Sequence, residues 1–457
     1  MTKDSFNPIQ KALTNLQDWK DSFGTQPIHS SLELPSGLSE SLLMDLSEKL
    51  KGNFPFHHAN YAGQMLKPPH PLSWSAYALA MSINPNNHAL DGGPPSSEME
   101  KECISKLAEL FGYGDHYLGH LSSSGTIANL EALWVARSIH PEKGIAFSSD
   151  AHYTHQRMAQ VLGMNSTTLS LDQGWEHGLS KLPIEDIGTI IVTMGTTGMG
   201  KVEPLSQVLD WAQSKGIRVH IDAAYGGFFK TIGHLLSDSS ANWARMHEAD
   251  SIVIDPHKHG LQPYGCGCVL FKDPQVGTFY KHDSPYTYFS SDELHLGEIS
   301  LECSRAGASA AAFWATLQAF PLQAEKGFGP IMMACHRAAR KAYEFLENSS
   351  NLRPIGVPEL DIICYAPCSS TKATSTRDIS RLSKALFNAG MKQPEPTNSY
   401  YLSLYTMKSS ALAQYLPNIT IDTDDVVVLR SVLMKPEQEY EIVELLSRVE
   451  ADLIRLL

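Results

Sequence analysis

The chain has 457 residues, 42% hydrophobic and 19% charged, which excludes a largely disordered polymer. The length allows two to four domains, or one large domain with a smaller partner. Against 36 basic residues stand 49 acidic ones, and the net charge of −13 excludes a broad basic surface for nucleic acid or anionic membrane, though not a pocket for one phosphate.

Residues 5–51 read as two helices with a Pro/Gly-bearing loop between them. Ile9, Leu13, Leu16 and Trp19 recur at helical spacing, and so do Leu42, Leu43, Leu46 and Leu50. Residues 54–98, rich in Pro, Asn and His, predict irregular backbone, of a kind that often carries sites. From Met99 the pattern turns α/β. Helices are expected at Met99–Phe111, Gly125–Ser138, His152–Leu162 and Leu205–Lys215. Short apolar runs at Ile145–Ser148, Thr189–Met194, Arg218–Ile221, Ser251–Ile254 and Cys268–Phe271 predict strands of a mostly parallel sheet with helices on both faces. The Ala-rich helix Ala306–Gln318 leads out of this domain. Helices Gly329–Asn348 and Glu437–Leu457, with strand candidates Asp361–Tyr365, Tyr401–Leu404 and Val426–Leu433, predict a small α+β domain.

No apolar run reaches ~18 residues, so no transmembrane helix is expected. The start, Met1-Thr-Lys-Asp, lacks the basic and apolar regions of a signal peptide. Seven cysteines, an odd count with no CxxC pair, predict free thiols in a reduced cytoplasmic protein. The 19 histidines raise the question of metal, but none forms HExxH or a Cys/His pair at zinc spacing, and no metal site is predicted.

Four features follow one another at predicted strand ends or helix starts, where ligands bind in open α/β sheets. Ser122-Ser123-Ser124-Gly125-Thr126 opens a helix whose free amides suit a phosphate; an ordinary N-cap is the plainer reading. His152 lies at a strand-to-helix passage, where a flat imidazole suits stacking on a ring, although a lone histidine is more often structural. Asp222 ends the strand of His220-Ile221-Asp222 before the small residues Ala223 and Ala224; it suits a protonated ring nitrogen, or a turn. Lys258 closes Asp255-Pro256-His257-Lys258 just after a buried strand and suits a Schiff-base nucleophile, where most lysines are surface charges. Each alone is weak. Together they meet the needs of pyridoxal phosphate: a phosphate site, a lysine and an acidic partner for the pyridinium nitrogen.

Asp255-Pro256-His257-Lys258, His220-Ile221-Asp222-Ala223-Ala224-Tyr225 and Gly125-Thr126-Ile127-Ala128-Asn129 carry a more specific likeness, joined by Asn60-Tyr61-Ala62-Gly63-Gln64-Met65 and Glu302-Cys303-Ser304-Arg305-Ala306. Over residues 55–320, with Leu429-Arg430 a weaker match, the chain resembles the group II pyridoxal-phosphate-dependent amino-acid decarboxylases of the fold-type I, aspartate-aminotransferase-like superfamily. Within that group it is most similar to bacterial and archaeal tyrosine decarboxylases, with some glutamate decarboxylase character.

The resemblance implies a large α/β domain at 56–320, a helical dimerisation segment at 1–55 and a small α+β domain at 321–457. It implies that Lys258 forms the Schiff base and that His257 sits beside the phosphate. Ser124, Gly125 and Thr126 would hold that phosphate. Asp222 would keep the ring nitrogen protonated, Ala224 would pack on the ring, His152 would stack on its other face, and Thr193 would lie near it. Tyr286, ahead of Tyr288, would return a proton to the substrate. Tyr61, Gln64, Asn86 and Asn87 are the candidates on the substrate side, and Arg305 is either structural or on the side of the substrate's carboxylate. A homodimer with the site at its interface is implied, acting on a free amino acid, aromatic or acidic. Three rival readings are an aminotransferase, a carbon–carbon lyase acting on phosphorylated sphingoid bases, and a non-catalytic binding protein on the same fold. A P-loop at Gly195-Thr196-Thr197-Gly198-Met199-Gly200-Lys201 fails, because Val202 stands where a Ser or Thr is required.

Overall fold

The computed structural model describes residues 6–24, 26–88, 90–281, 300–369 and 373–457. Four helices come first: α1 (Phe6–Asp21), α2 (Leu38–Leu50), α3 (Pro71–Met81) and α4 (Pro94–Phe111). The alternating region follows as β1 (Leu118–Ser122), α5 (Gly125–Ile139), β2 (Gly144–Ser148), α6 (Thr154–Leu162), β3 (Ser166–Leu169), α7 (Gly174–Ser180) and β4 (Ile187–Thr193). It continues through α8 (Leu205–Gln213), β5 (Arg218–Asp222), α9 (Ser240–Ala244), β6 (Ser251–Ile254) and β7 (Gly267–Phe271), and α10 (Gly307–Ala319) leaves it. The C-terminal part is α11 (Phe328–Asn348), β8 (Leu352–Pro354), β9 (Ile362–Pro367), α12 (Thr376–Gly390), β10 (Ser403–Lys408), α13 (Ser409–Tyr415), β11 (Asp425–Val432) and α14 (Gln438–Leu456).

The large sheet has seven strands in the order β1-β7-β6-β5-β4-β2-β3. Neighbours from β3 to β6 are parallel, and only β7 is antiparallel, pairing β6 on one side and β1 on the other. β1, β2, β4, β5 and β6 therefore all end at the same edge. Every residue of β4 and β6 is buried, as expected for apolar strands covered on both faces. The architecture is the expected one: a mostly parallel α/β domain, a helical N-terminal segment and a small C-terminal α+β domain.

The small sheet is antiparallel throughout, in the order β10-β11-β9-β8. Helix α11 fastens the two domains. Its first turns place Phe328, Met332 and Cys335 in the large core, and its later turns place Ala338, Ala342 and Leu346 in the small one. Full burial of a leucine such as Leu346 contributes about 1.5–3 kcal/mol.

The stretch 54–98, expected to be irregular, contains α3 and the first turn of α4. Pro71 and Pro94 each occupy a first helical turn, where a missing N–H costs nothing, so proline there marks a start and not a break. Helix α12 was not expected either; Ser375 caps it by accepting the Asp378 N–H at 3.1 Å. Strand β3, Ser166-Thr167-Thr168-Leu169, lies at the sheet edge and has too few apolar residues to announce itself.

Helix α1 rests on α3, with Lys20 Nζ 3.1 Å from the Ser82 carbonyl. Helix α2 has no buried residue. Residues 59–67 run along the small domain: the Ala62 N–H donates to the Tyr401 carbonyl, the Val432 N–H to the Ala62 carbonyl, and Lys67 Nζ to the Met434 carbonyl. No helix among the described residues is long and apolar enough to cross a membrane.

Candidate active site

Five strand ends meet around one cleft of about 210 Å³. All nine residues expected at the cofactor line it: Ser124, Gly125, Thr126, His152, Thr193, Asp222, Ala224, His257 and Lys258. Ser124 follows β1 and caps α5, accepting the Ile127 N–H at 3.3 Å, while the Ala128 N–H goes to the Ser124 carbonyl. That leaves the Gly125 and Thr126 N–H groups to the cleft both residues line, at the positive end of a helix dipole. Ser124 thus acts first as a cap. His152 follows β2, and its Nδ1 accepts the Thr154 N–H at 3.2 Å. Burial lowers the pKa of its half-buried ring, which favours the neutral form suited to stacking.

Asp222 ends β5 and is 5% exposed. Its Oδ1 accepts the Ala224 N–H at 3.1 Å, and its Oδ2 lies 2.9 Å from His155 Nε2. Burial alone would raise its pKa. The hydrogen bond and charge of His155, the Lys258 charge and the Ala224 amide outweigh burial and hold the carboxyl well below the usual range. Asp222 is therefore ionised in a nearly dry place. Beside it, the Asn129 amide donates to the Gly125 carbonyl at 2.8 Å, so its oxygen faces His220 Nε2 at 2.9 Å. That assigns the proton to Nε2 and leaves Nδ1 to accept from the Ser251 hydroxyl at 2.8 Å. Burial brings His220 down to about 3, so this ring is neutral and braces the start of α5 against β5 and β6.

Lys258 follows β6, with Nζ 3.3 Å from Asp255 Oδ2. The same oxygen lies 3.6 Å from His257 Nε2, and His257 Nδ1 donates to the Cys266 carbonyl at 2.7 Å. A Cβ on Gly125 would fall 2.5 Å from Asp255 Oδ2, so only glycine lets α5 start this close to the lysine turn. At the end of β4 the Thr193 N–H donates to Glu203 Oε2 at 2.6 Å, and the Ser148 hydroxyl donates to the other carboxylate oxygen. Burial pushes the Glu203 carboxyl up to about 8.

The five substrate-side candidates lie elsewhere in this chain; none is in the cleft lining. Tyr61 is buried against the small domain, where its hydroxyl accepts the Gln64 N–H at 3.2 Å. Gln64 is exposed. Asn86 accepts the Arg305 N–H at 3.0 Å. Arg305 Nη1 donates to Glu100 Oε1 at 2.6 Å and to the Leu121 carbonyl at 2.8 Å, and its Nη2 donates to the Asn87 carbonyl at 2.8 Å. The Asn87 amide donates to Glu100 Oε2 at 2.6 Å. These contacts give Asn87 and Arg305 a bracing task behind β1. Arg430, from β11, supports the lining from behind by donating to the carbonyl of Thr197 at 2.6 Å. Tyr286 and Tyr288 lie outside the described residues.

Sequence reasoning passed over His155, Asp255 and Glu203. The signal for Asp255 was the one used for Asp222, a carboxylate at the end of an apolar strand. His155 lies three residues beyond His152. Glu203 had no local signal, since Ser148 and Thr193 reach it only through the fold.

The chemistry of the lining fits pyridoxal phosphate. Amides wait at the phosphate end, a primary amine stands within reach, and an ionised carboxylate and a small residue flank the ring slot. The buried Thr193 Oγ1 and Asp255 Oδ1 have no hydrogen-bond partner among the described residues, as expected where a ligand completes a site. Fold and cleft together define a pyridoxal-phosphate enzyme of the aminotransferase-like class.

Residues 40–366 match the pyridoxal-dependent decarboxylase conserved domain, and the chain belongs to that family. It is a pyridoxal-phosphate-dependent amino-acid decarboxylase. It is 29% identical over 314 residues to a probable L-tyrosine/L-aspartate decarboxylase of Methanothermobacter thermautotrophicus, covering 66% of this chain and 82% of that one. It is 28% identical over 411 residues to an L-tyrosine decarboxylase of Enterococcus faecium, covering 67% of each. Among solved structures, Oryza sativa TDC with PLP and tryptamine superposes with a TM-score of 0.77 at 14% identity, over 100% of this chain and 99% of that one. At that identity the likeness speaks for the fold alone.

Proposed function

We propose that this decarboxylase acts on an L-amino acid with an aromatic or acidic side chain, tyrosine and aspartate foremost. The observation that carries the reading is the single cleft in which Lys258, Asp222 and the start of α5 meet. The relatives named for tyrosine and aspartate support the choice of substrates. Decarboxylase relatives also weigh against the aminotransferase and carbon–carbon lyase readings.

Pyridoxal phosphate, when bound, supplies an electron sink for the pair left as carbon dioxide departs. The chain's residues do the rest. The Gly125 and Thr126 amides hold the phosphate, and His257, oriented by the Cys266 carbonyl, stands beside it. Lys258 offers the amine that the substrate displaces. Asp222, kept ionised, holds a proton on the ring nitrogen, and His152 covers one ring face. In this reading Tyr286, ahead of Tyr288, returns the proton to the substrate carbon. Phenylalanine at the true donor should slow amine release and divert turnover, after carbon dioxide has left, to the aldehyde one carbon shorter than the substrate; unchanged kinetics in both variants would remove the assignment.

The active unit is proposed to be a homodimer with the site at its interface. Support comes from α2, where Leu42, Leu43, Met44, Leu46 and Leu50 are all exposed in the single chain, a face that association would cover. Sedimentation equilibrium returning only a 50.3 kDa species would overturn this. A cytoplasmic setting is supported by seven free cysteines, six of them buried; fractionation that places the protein outside the cytosol would count against it. The deciding experiment for function is a panel of the twenty amino acids, scored for carbon dioxide and amine. The expected result is release from tyrosine or aspartate above all others. Keto acid without carbon dioxide would reject the proposal.

A further inference from the structure

We propose that His155 is a positioning residue that acts through Asp222 to keep the proton on the cofactor's ring nitrogen. The inference rests on the reading of the cleft as a pyridoxal-phosphate site.

A carboxylate as buried as Asp222 is under pressure to become neutral, because charge is costly away from water. A neutral Asp222 would leave the ring nitrogen without its counter-charge. The ring would then bind more weakly and draw electrons less. Something in the chain must resist this. Lys258 contributes charge, but its amine is the group that would be joined to the bound cofactor. The Ala224 amide occupies Oδ1 alone. His155 is the side chain that touches Oδ2, at 2.9 Å, and it is fully buried.

Its place is fixed on every side. It sits in the first turn of α6, its ring lies 6.0 Å from that of Phe147 on β2, and it meets the neutral His220 edge-on at 6.5 Å. Its Nδ1 is buried without a hydrogen-bond partner among the described residues, so Nε2 is the atom that makes its polar contact, directed at Asp222. A histidine merely filling space would not need that orientation, and an apolar residue would fill the space at lower cost. The Nε2–H bond stabilises the ionised carboxylate in place, behind the face that Asp222 turns to the cleft. A hydrogen bond to a charged group is worth about 1.5–3 kcal/mol, which converts to roughly 10- to 100-fold in affinity.

The test measures binding to the apo-protein by fluorescence, with pyridoxal phosphate and with its 1-deaza analogue, in which C–H replaces the ring nitrogen. For pyridoxal phosphate, His155→Leu should weaken binding roughly 10- to 100-fold. For the deaza analogue, which gives Asp222 nothing to pair with, wild type and variant should bind alike. His155→Gln, which keeps an N–H donor, should recover part of the difference. If His155→Leu does not fold, His155→Phe, which keeps a ring beside Phe147, carries the same comparison. Equal losses for both cofactors would show a structural role and overturn the inference, and so would no loss for either. Failure of the wild type to bind pyridoxal phosphate at all would instead reject the cofactor reading.

Discussion

Two of the chain's buried constellations are built from the same materials. Asp222 with His155 lies at the C-terminal end of β5, and Arg305 with Glu100 lies behind β1. Both pair a carboxylate with a nitrogen base away from water. They differ in what lies beside them. The Arg305 guanidinium meets Glu100 and the carbonyls of Leu121 and Asn87, and Glu100 also takes the Leu121 N–H and the Asn87 amide. That network lines no part of the cofactor cleft, leaves only Arg305 Nε without a partner among the described residues, and clamps α4, β1 and the entry to α10. Asp222 lines a cleft, and nearby Thr193 Oγ1 and Asp255 Oδ1 have no partner among the described residues. Buried charge alone therefore does not mark a functional site. Buried charge beside unsatisfied polar atoms and open volume does.

The largest expected effect lies in the open constellation. Lys258→Ala should lower carbon dioxide release on the order of 10⁴-fold or more, because the amine is the group the substrate exchanges with. The absorption band of the bound cofactor should lose its Schiff-base form in the protein that remains folded, the loss of the ion pair with the buried Asp255 being a separate cost to stability. A variant with the wild-type band would break the assignment of this cleft.

The closed constellation should answer in the opposite sense. Arg305→Ala leaves Glu100 buried without its partner, and removing one partner of a buried pair costs about 3–5 kcal/mol. Denaturant unfolding should show that loss, with KM for the substrate unmoved in the protein that remains folded. A raised KM at unchanged stability would return Arg305 to the substrate side.

This division explains what could be read from the residues alone. The cofactor cleft was legible because each contributor ends an apolar strand or opens a helix, and strand ends of a parallel sheet share one edge. Ser124, His152, Asp222 and Lys258 could thus be placed together without knowing any distance. The substrate side was not legible in the same way. Tyr61, Gln64, Asn86, Asn87 and Arg305 were chosen from an irregular, polar stretch and its match near Arg305, and such stretches brace the fold as readily as they meet ligands. Proline misled for a local reason: Pro71 and Pro94 start helices. His155 was hidden because its partner is 67 residues away in sequence and only the fold makes them neighbours.

Glu203 tests the boundary between the two constellations, with the smallest effect near neutral pH. It lines no cleft, yet it holds the backbone N–H of Thr193, which does. Burial raises its carboxyl from an ordinary 4.5 to about 8. Between those values the folded chain keeps a proton that the unfolded chain has released. Its contribution to stability is therefore complete below pH 4.5 and is lost progressively as pH rises through about 8, in all on the order of a few kcal/mol. Glu203→Gln retains an acceptor for the Thr193 N–H and cannot ionise. Melting temperatures of wild type and variant, followed from pH 4.5 to 8.5, should diverge in slope, the wild type falling relative to the variant. Parallel curves would mean that Glu203 is already ionised in the folded chain, and the carboxylate would then belong with Asp222 among the charges that surround the cofactor.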